Sequence, residues 1–417
     1  MKRVQIRKVA RLGTGHTPSR SVDAYWDPSE CTIPWLTLAD VWQLRDGSVS
    51  VVHDTKEKIS PLGLANSAAV RHPAGTVAFS RTASVGFSCI LGVDMATSQD
   101  FVTWTCGPQL DPRYLLWVLR GEREDILRRT QGSTHKTIYM PDIEQLTIPL
   151  PPLDEQRRIV RYLDRETARI DEVLGRRVHQ LRRLDERETR RLSVTLGLAV
   201  IARGDGLAPT GAARTRALRW AARIRGGLTL GKRYDGPLTH RPYLRVANVQ
   251  DGYLDLGDVA EVEVPAVDAR RFKLEQGDVL VLEGNGNPDN LGRGCMWRGE
   301  VSDCLHQNHV HVVRPDRSLL LPEFFALALR TEWVRHWFTG GVAQVSIATL
   351  SQSRLGDLPL PLPDLSEQTR MVEQSESRRA KYERLRASLE RQVALLREHR
   401  HALITCSVAP PREDEAA

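Results

Sequence analysis

The sequence predicts an α+β protein in which two globular domains alternate with two long helices that form an antiparallel coiled coil with pseudo-two-fold symmetry. A proline-rich phrase occurs twice, as Ile148–Val160 (IPLPPLDEQRRIV) and as Leu360–Val372 (LPLPDLSEQTRMV). Gln156 and Gln368 set an offset of 212 residues, about half of the 417-residue chain. Each copy follows a region of short apolar runs and turns, and each precedes a long amphipathic segment. Two similar halves suit a nearly symmetric ligand, and duplex DNA is the obvious candidate.

The duplicated phrase predicts the start of a helix. Its prolines favour an extended approach, because they cannot continue a helix interior. Asp154 and Ser366 occupy equivalent positions, and both residue types cap helix N-termini well. Glu155 and Glu367 then fall in the first turn, where a negative charge opposes the helix dipole.

Both helices carry the apolar pattern of a coiled coil. From Asp154 to about Leu196 the chain has no proline and one glycine, Gly175. The first seam is predicted at Val160, Leu163, Thr167, Ile170, Leu174, Leu181 and Leu184. The second seam is predicted to be polar at Ser375, Arg379 and Arg386, and apolar at Leu385, Leu389, Leu396 and Leu403. An ordinary amphipathic helix in a bundle is the competing interpretation of either copy alone.

Composition narrows the function classes. The net charge of +7 and the pI near 9.2 suggest a polyanionic partner, and Arg214–Arg233 carries seven basic residues and no acidic one. The N-terminus lacks the apolar region of a signal peptide, no segment has the apolarity of a membrane span, and six scattered cysteines indicate free thiols. We therefore expect a cytoplasmic protein.

The pattern along the chain predicts six segments. The predicted boundaries are 1–150 for the first α+β domain, 151–197 for the first helix, 198–213 for a flexible linker, 214–360 for the second α+β domain, 361–408 for the second helix and 409–417 for a disordered tail.

The motifs for catalysis are weak. Gly226–Arg233 (GGLTLGKR) nearly matches a phosphate-binding P-loop, but Arg233 replaces the Ser or Thr that magnesium requires. Glu283–Asn287 (EGNGN) lacks the spacing of a cofactor loop and predicts a tight turn. His306, His309 and His311 could suggest a metal, but no acidic or cysteine partner completes a site nearby, so we expect no metal.

These features together resemble the specificity (S) subunits of type I restriction–modification enzymes. The duplicated phrase is similar to the start of that family's two conserved helical regions. The domain resemblance is carried by GTGHTPSR, IPWLTLADV, ISPLGLANSAA and GSTHKTIYMPDIEQLTIPLPP in the first half, and by PYLRVANVQDG, LEQGDVLVLEGNGNPDNLGR and HQNHVHVVRP in the second.

The resemblance implies a recognition subunit without catalytic residues. Each globular domain would be a target recognition domain that reads one half of a split DNA site, and the helices would set the gap. Two methyltransferase (M) subunits would dock near the helices, and restriction (R) subunits would complete the complex. S-adenosylmethionine, ATP and Mg would belong to those partners, and this chain would hold no cofactor.

Candidate DNA-contacting residues are polar or basic side chains beside glycines, or amides and arginines that can pair with base edges. In the first domain they are Thr14, His16, Thr17, Arg20, Arg81, Thr134, His135 and Lys136. In the second they are Lys232, Arg233, Arg245, Asn248, Asn285, Asn287, Arg293, Gln307, Asn308 and Gln344. A turn residue or a solvated surface side chain is the alternative at each position.

Two other functions remain open from the sequence. One is an enzyme, either an ATPase that uses Gly226–Lys232 or an unrecognised nuclease. The other is a stand-alone coiled-coil regulator that binds DNA without methyltransferase partners.

Overall fold

The chain forms two compact units in a computed structural model. The first unit comprises Met1–Val178 and Glu390–Ala417, and the second comprises His179–Leu389. The structure describes residues 3–128, 137–203, 206–211, 215–231, 233–284, 290–340 and 349–409. The predicted tail is therefore outside the described residues from 410 onward. In the part of the chain that is described, no helix is long and apolar enough to cross a membrane.

The first unit is built mainly from short strands with helices packed beside them. Its strands are β1 (Arg3–Gln5), β2 (Ala10–Thr14), β3 (Ile33–Leu36), β4 (Val51–Val52), β5 (Glu57–Ile59), β6 (Val77–Ser80), β7 (Ser88–Leu91), β8 (Ala96–Thr97), β9 (Phe101–Cys106) and β10 (Thr147–Pro149). Its helices are α1 (Pro61–Ala65), α2 (Pro112–Gly121), α3 (Arg123–Leu127), α4 (Met140–Glu144) and the first part of α5 (Leu153–Thr195).

The second unit has the same mixture of elements. Its strands are β11 (Val200–Arg203), β12 (Gly206–Pro209), β13 (Thr215–Ala217), β14 (Ala222–Arg225), β15 (Thr239–Leu244), β16 (Ala260–Val264), β17 (Val279–Leu282), β18 (Gly294–Met296), β19 (Leu305–His306), β20 (Val310–Pro315) and β21 (Pro359–Pro361). Its helices are the last part of α5, α6 (Ala266–Arg271), α7 (Pro322–Ala328), α8 (Glu332–Thr339), α9 (Gln352–Gly356) and the first part of α10 (Leu365–Val408).

The two units share one strand topology, although their sequences differ. The larger sheet has the order β2-β9-β6-β7-β4 in the first unit and β14-β20-β17-β18 in the second. The smaller sheet has the order β5-β3-β8 in one and β16-β15-β19 in the other. In both small sheets the central strand pairs antiparallel with one neighbour and parallel with the other. The α+β prediction with two related domains is confirmed.

The duplicated phrase enters the fold as a strand before it becomes a helix. Arg3 of β1 pairs with Pro149 in the first unit, and Thr215 of β13 pairs with Pro361 in the second, so each of these strands meets the strand before a long helix. Pro149 and Pro361 are tolerated because these are two-stranded sheets in which few ladder donors are needed.

Each unit has an apolar core that includes residues of the long helices. In the first unit Trp104 and Tyr114 are buried with Leu163 of α5 and Ile404 of α10. In the second unit Phe324 and Trp333 are buried with Leu192 of α5 and Val372 of α10. Burial of large aromatic and aliphatic side chains is the main favourable term that joins helix to sheet.

Each long helix begins one residue before its predicted N-cap. Helix α5 starts at Leu153 and α10 at Leu365, so Asp154 and Ser366 lie inside the first turn, and their assignment as N-caps is wrong. Asp364 caps α10, because its Oδ1 accepts from the backbone N of Glu367 at 2.8 Å. The equivalent residue before α5 is Pro152, whose side chain has no acceptor.

The predicted coiled-coil seam is confirmed for α5 and corrected for α10. Val160, Leu163, Thr167 and Ile170 are buried. On α10 the partner numbers fall as those on α5 rise, since Asp171 binds Arg400 within the first unit and Asp185 binds Arg386 within the second. This order is antiparallel.

Leu385 is 48% exposed, so its predicted seam position is wrong. Tyr382 and Arg386 face α5 instead, and the Tyr382 hydroxyl donates to Asp185 at 2.6 Å. Aromatic and arginine side chains fill this part of the seam because α5 presents a carboxylate there.

The segment 198–213, predicted as a flexible linker, contains an ordered hairpin. Strands β11 and β12 pair from Val200 with Pro209 to Arg203 with Gly206. Gly197 ends α5 with a positive φ of 67°, and Leu198 is fully buried in the second unit's core. The small residues that suggested a linker instead let the chain turn tightly after the helix.

Candidate nucleic-acid interface

The ends of strands β2, β6 and β9 bring several predicted residues together in the first unit. Thr17 Oγ1 donates to Gln99 Oε1 at 2.5 Å, and Arg81 Nε donates to the carbonyl of Gln99 at 3.1 Å. Thr14 Oγ1 lies 3.5 Å from the carbonyl of Phe101. Thr82 also donates to Asp100. We call Thr14, Thr17, Arg81, Gln99 and Asp100 the first sheet-end cluster.

A glycine permits the close approach on which this cluster depends. A Cβ atom on Gly15 would lie 2.1 Å from the carbonyl oxygen of Thr97 and 2.3 Å from that of Ser98. The next residue, His16, donates its backbone N–H to Thr97 at 3.0 Å and keeps its side chain exposed. The chain therefore crosses directly over the turn that carries Gln99.

Arg20 lies in an aromatic surface cluster. Its guanidinium stacks 3.7 Å from the ring centroid of Trp26 and forms an ion pair with Glu57 at 2.5 Å. Trp26 in turn contacts the edge of Trp35. An arginine held on an aromatic face can still present its outer N–H groups to a phosphate, so Arg20 remains a candidate.

The second unit has an equivalent arrangement. The carbonyl of Leu244 accepts from Gln307 N at 2.9 Å, as the carbonyl of Leu36 accepts from Ser98 N in the first unit. His309 Nδ1 lies 2.8 Å from Glu283 Oε2, and Asn308 is its half-buried neighbour. We call Glu283, Gln307, Asn308 and His309 the second sheet-end cluster.

Gly227 has the same role here as Gly15. A Cβ atom on Gly227 would lie 2.3 Å from the carbonyl oxygens of both His306 and Gln307. Gly227 and Gly15 are 212 residues apart, the same offset as the duplicated phrase. A close backbone crossing at the end of the sheet is therefore part of the duplicated frame.

The two clusters carry different side chains at equivalent backbone positions. Arg81 N donates to the carbonyl of Asp100 at 2.8 Å, and Glu283 N donates to the carbonyl of His309 at 3.0 Å. The first unit thus places Arg and Asp where the second places Glu and His. One backbone frame carries two different sets of donors and acceptors.

Asn248 is not available to DNA, and its prediction as a contact residue is wrong. It is 3% exposed, its Oδ1 accepts from Arg245 N at 2.8 Å, and its Nδ2 donates to the carbonyls of Asp255 and Asp258. Asp40 serves the first unit in the same way, since it accepts from the backbone N of Thr37 and of Lys56. Both residues stabilise a loop after the central strand of the small sheet.

The remaining predicted residues lie apart from the two clusters or outside the described residues, and Gln307, a cluster member, already has a backbone partner. Arg245 binds the exposed carboxylate of Asp258 at 2.7 Å, Arg293 donates to Asn290 at 3.1 Å, and Arg233 is exposed. Gln307 Oε1 accepts from Val246 N at 3.3 Å. Thr134, His135, Lys136, Lys232, Asn285, Asn287 and Gln344 lie outside the described residues.

Sequence reasoning missed Gln99, Asp100, Glu283 and His309. The strand ends themselves were recognisable, because the apolar runs of β9 and β20 begin just after Asp100 and His309, and that of β17 ends just before Glu283. The missing signal was the pairing of β9 with β6 and of β20 with β17, which brings distant strand ends together.

The three histidines considered for metal binding do not point at one another. His306 Nδ1 lies 2.8 Å from the carbonyl of Val310, and His311 Nε2 lies 2.7 Å from that of Leu350, while His309 faces Glu283. Burial lowers the pKa of His306 to about 4, which keeps it neutral. No group of three or more potential ligands occurs within the described residues.

The P-loop hypothesis also lacks its structural context. A P-loop connects a strand to a helix whose N-terminus receives the phosphate. Here Gly227 is packed against the backbone of Gln307, and the next regular element in the described chain is strand β15.

Comparison with known proteins shows what this chain is similar to. Residues 1–177 match the family model of the type I restriction modification DNA specificity domain. A solved chain from a study of complex assembly and conformational transition of the type I R-M system has the same fold, with a TM-score of 0.65, 17% identity and coverage of 98% of this chain and 97% of that one. The resemblance inferred from the duplicated phrase is confirmed.

Individual relatives are specificity subunits. The StySPI specificity subunit of Salmonella potsdam is 23% identical over 277 residues, which are 64% of this chain and 58% of the relative. The EcoKI specificity subunit of Escherichia coli K12 is 25% identical over 266 residues, 61% of this chain and 55% of the relative. The aligned part thus spans a little over half the length of these curated relatives.

Proposed function

We propose that this chain is the DNA sequence-specificity subunit of a type I restriction–modification complex and reads a bipartite, asymmetric site. The carrying observation is that one sheet-end frame occurs twice with different side chains. Each unit would read one half-site, and the different chemistry of the two clusters makes the half-sites different. Gln and Asn suit adenine edges, Arg suits guanine, and Glu suits the amino group of cytosine.

Basic side chains outside the clusters would supply affinity and register through phosphates. Arg20 is held on Trp26, and Arg233 is the last residue of the basic segment Arg214–Arg233. Such contacts carry little sequence information but position a protein on the duplex.

The long helices offer surfaces for two methyltransferase subunits. Apolar side chains point outward from them, including Tyr162 at 43% and Leu395 at 58% exposure in the first unit and Val194 at 59% in the second. Such exposed apolar side chains on the helical part of each unit are compatible with docking of a partner protein. Restriction subunits would join through the same complex, which we place in the cytoplasm.

We propose that this chain itself is not an enzyme. S-adenosylmethionine would serve methyl transfer in the methyltransferase subunits, and ATP and Mg would serve the restriction subunits. The part assigned to this chain is to bind DNA and hold its partners in register.

The experiment uses a matched pair of variants, Gln99→Leu and Asn308→Leu, each in complex with the methyltransferase subunits of the same restriction–modification system. Methylation is measured on duplexes in which every base of either half-site is varied. We expect each variant to relax base preference in one half-site, and the two variants to affect different half-sites. Loss of preference in the same half-site for both, or an unchanged pattern for both, would contradict the proposal.

A further inference from the structure

In each unit, one buried glutamine joins the globular part to the long helix that follows it. Gln156 has no exposed surface and uses its whole amide. Its Oε1 accepts from the backbone N of Asp111 at 2.9 Å, and its Nε2 donates to the carbonyls of Gln109 at 2.9 Å and Pro151 at 2.8 Å. Asp111 is the N-cap of α2, so the amide links the start of α2 to the first turn of α5.

Gln368 repeats this arrangement in the second unit. It is also fully buried. Its Oε1 accepts from Leu321 N at 2.9 Å, and its Nε2 donates to the carbonyls of Leu319 at 2.8 Å and Pro363 at 2.9 Å. Leu321 is the N-cap of α7, which follows the last strand of its sheet as α2 follows β9.

Only glutamine satisfies this set of partners. The site presents one backbone N–H and two carbonyl oxygens, and a primary amide matches them with one acceptor and two donors. Glutamate would set a carboxylate against two carbonyls, and leucine would leave all three groups without a partner.

The bonds act where the backbone itself offers little. The prolines before each long helix lack N–H groups, so each connection has few backbone donors of its own. Tyr114 supports the first connection by donating its hydroxyl to the carbonyl of Pro149 at 3.0 Å, and Trp333 supports the second by donating Nε1 to that of Pro359 at 2.7 Å.

We propose that Gln156 and Gln368 are positioning residues that fix the orientation of each DNA-reading part on its long helix, and so set how strictly the protein discriminates the gap between half-sites. This inference rests on the proposed function. Neither glutamine reaches a base, because both are buried. Their loss should therefore leave half-site sequences unchanged while widening the range of gaps accepted.

The test uses the complete complex with its methyltransferase. Duplexes carry both half-sites at the native gap or with one base pair more or fewer, and initial methylation rates are compared. We expect Gln156→Leu and Gln368→Leu each to reduce the ratio of native-gap to altered-gap rates by about tenfold, with base preference in both half-sites retained. Gln374→Leu, an exposed glutamine on α10, is the matched control and should keep the wild-type ratio.

The variants Gln156→Glu and Gln368→Glu keep the proposal testable if the leucine variants do not fold. A protonated carboxyl can donate to one carbonyl, whereas an ionised one repels both. Gap discrimination in these variants should therefore be better at pH 6 than at pH 8, while wild type shows no such change.

Folded variants that keep the wild-type gap ratio, or a control that loses it equally, would overturn the inference. An unmodified complex that methylates without needing two half-sites would remove the proposed function itself, and this result is visible before any variant is made.

Discussion

Gly15 and Gly175 show how differently two glycines can be constrained. A Cβ on Gly15 would collide with the backbone of Thr97, whereas a Cβ on Gly175, in the middle of α5, would meet nothing within 4 Å. We expect Gly15→Ala to destabilise the protein by about 3 kcal/mol, because a backbone oxygen cannot move aside cheaply.

Gly175→Ala is the paired prediction, and it has the opposite sign. Alanine favours helix over glycine by about 1 kcal/mol, and the site has room for the methyl group. Urea denaturation measures both effects as the change in the unfolding midpoint of each variant relative to wild type. A stabilised Gly15→Ala variant would refute the close crossing of the backbone at the sheet end.

Arg233 tests the assignment of a phosphate contact. Arg233→Ala should weaken binding to all duplexes and reduce the slope of log K against log salt by about 0.9 for one lost contact. Arg298→Ala is the control, because Arg298 is exposed in the turn after β18, at the other end of β17 from Glu283. Fluorescence anisotropy between low and moderate salt gives both slopes, and equal slopes for Arg233→Ala and wild type would exclude the contact.

For single residues, the sequence shows which side chains could contact DNA, but not which of them are already used by other hydrogen bonds. Asn248 was predicted to read adenine, yet its amide is used by Arg245, Asp255 and Asp258. The groups that would pair with a base edge are the same groups that cap a loop, so only burial distinguishes the two uses. Thr14, Thr17 and Arg81, in contrast, do meet at one strand end.

At the scale of elements, α5 and α10 are joined by a partly buried ion pair in the first unit. Arg400 donates to both carboxylate oxygens of Asp171, at 2.8 and 3.2 Å, and also to the carbonyl of Gly47. Its side chain is only 13% exposed. We expect a coupling energy of about 1–2 kcal/mol from a double-mutant cycle of Asp171→Leu and Arg400→Leu.

The pair Glu172 and Arg176 is the control for that cycle, because both side chains are more than 60% exposed on the same helix. Its coupling should be about 0.5 kcal/mol or less, since solvent screens an exposed pair. Equal coupling in the two cycles would show that Asp171 and Arg400 add nothing specific to helix pairing.

Strand β19 contributes a pH-dependent stability through His306. Burial holds its pKa at about 4, below the ordinary value of 6.5, so folding favours the neutral ring. The contribution is complete above about pH 6.5 and is lost as the pH falls toward 4, because the unfolded chain binds the proton first. Its full size is about 3 kcal/mol.

Replacement with asparagine removes that titration. In His306→Asn the amide can still donate to the carbonyl of Val310, so the variant should lose less stability than wild type between pH 6.5 and 4. Urea midpoints across this range give the difference between the two proteins. Parallel curves would mean that His306 is not buried in its neutral form.

The two long helices could be predicted from periodicity, but two other features of the elements could not. The predicted seam correctly included Arg386, which faces Asp185, but it also placed the apolar Leu385 inward, whereas Tyr382 takes that place. The hairpin of β11 and β12 was hidden by a composition typical of linkers. For the seam, the deciding partner is Asp185 on the other long helix, whereas the two strands of the hairpin pair with each other.

For the whole molecule, the duplicated phrase was sufficient to predict two related halves. The halves share little sequence, so their common strand topology was not readable from residues such as Trp35 and Tyr243, which occupy equivalent central strands. Gln156 and Gln368, at equivalent positions of the phrase, bind three equivalent backbone groups in each unit.

In the proposed function, this chain directs a methyltransferase to a bipartite DNA site. Genome-wide adenine methylation should be mapped in cells that express the neighbouring methyltransferase subunit with and without this chain. We expect a new methylated motif of two short, different half-sites around a fixed gap, which is present only when this chain is expressed. No new motif, with the methyltransferase folded and bound to this chain, would contradict it.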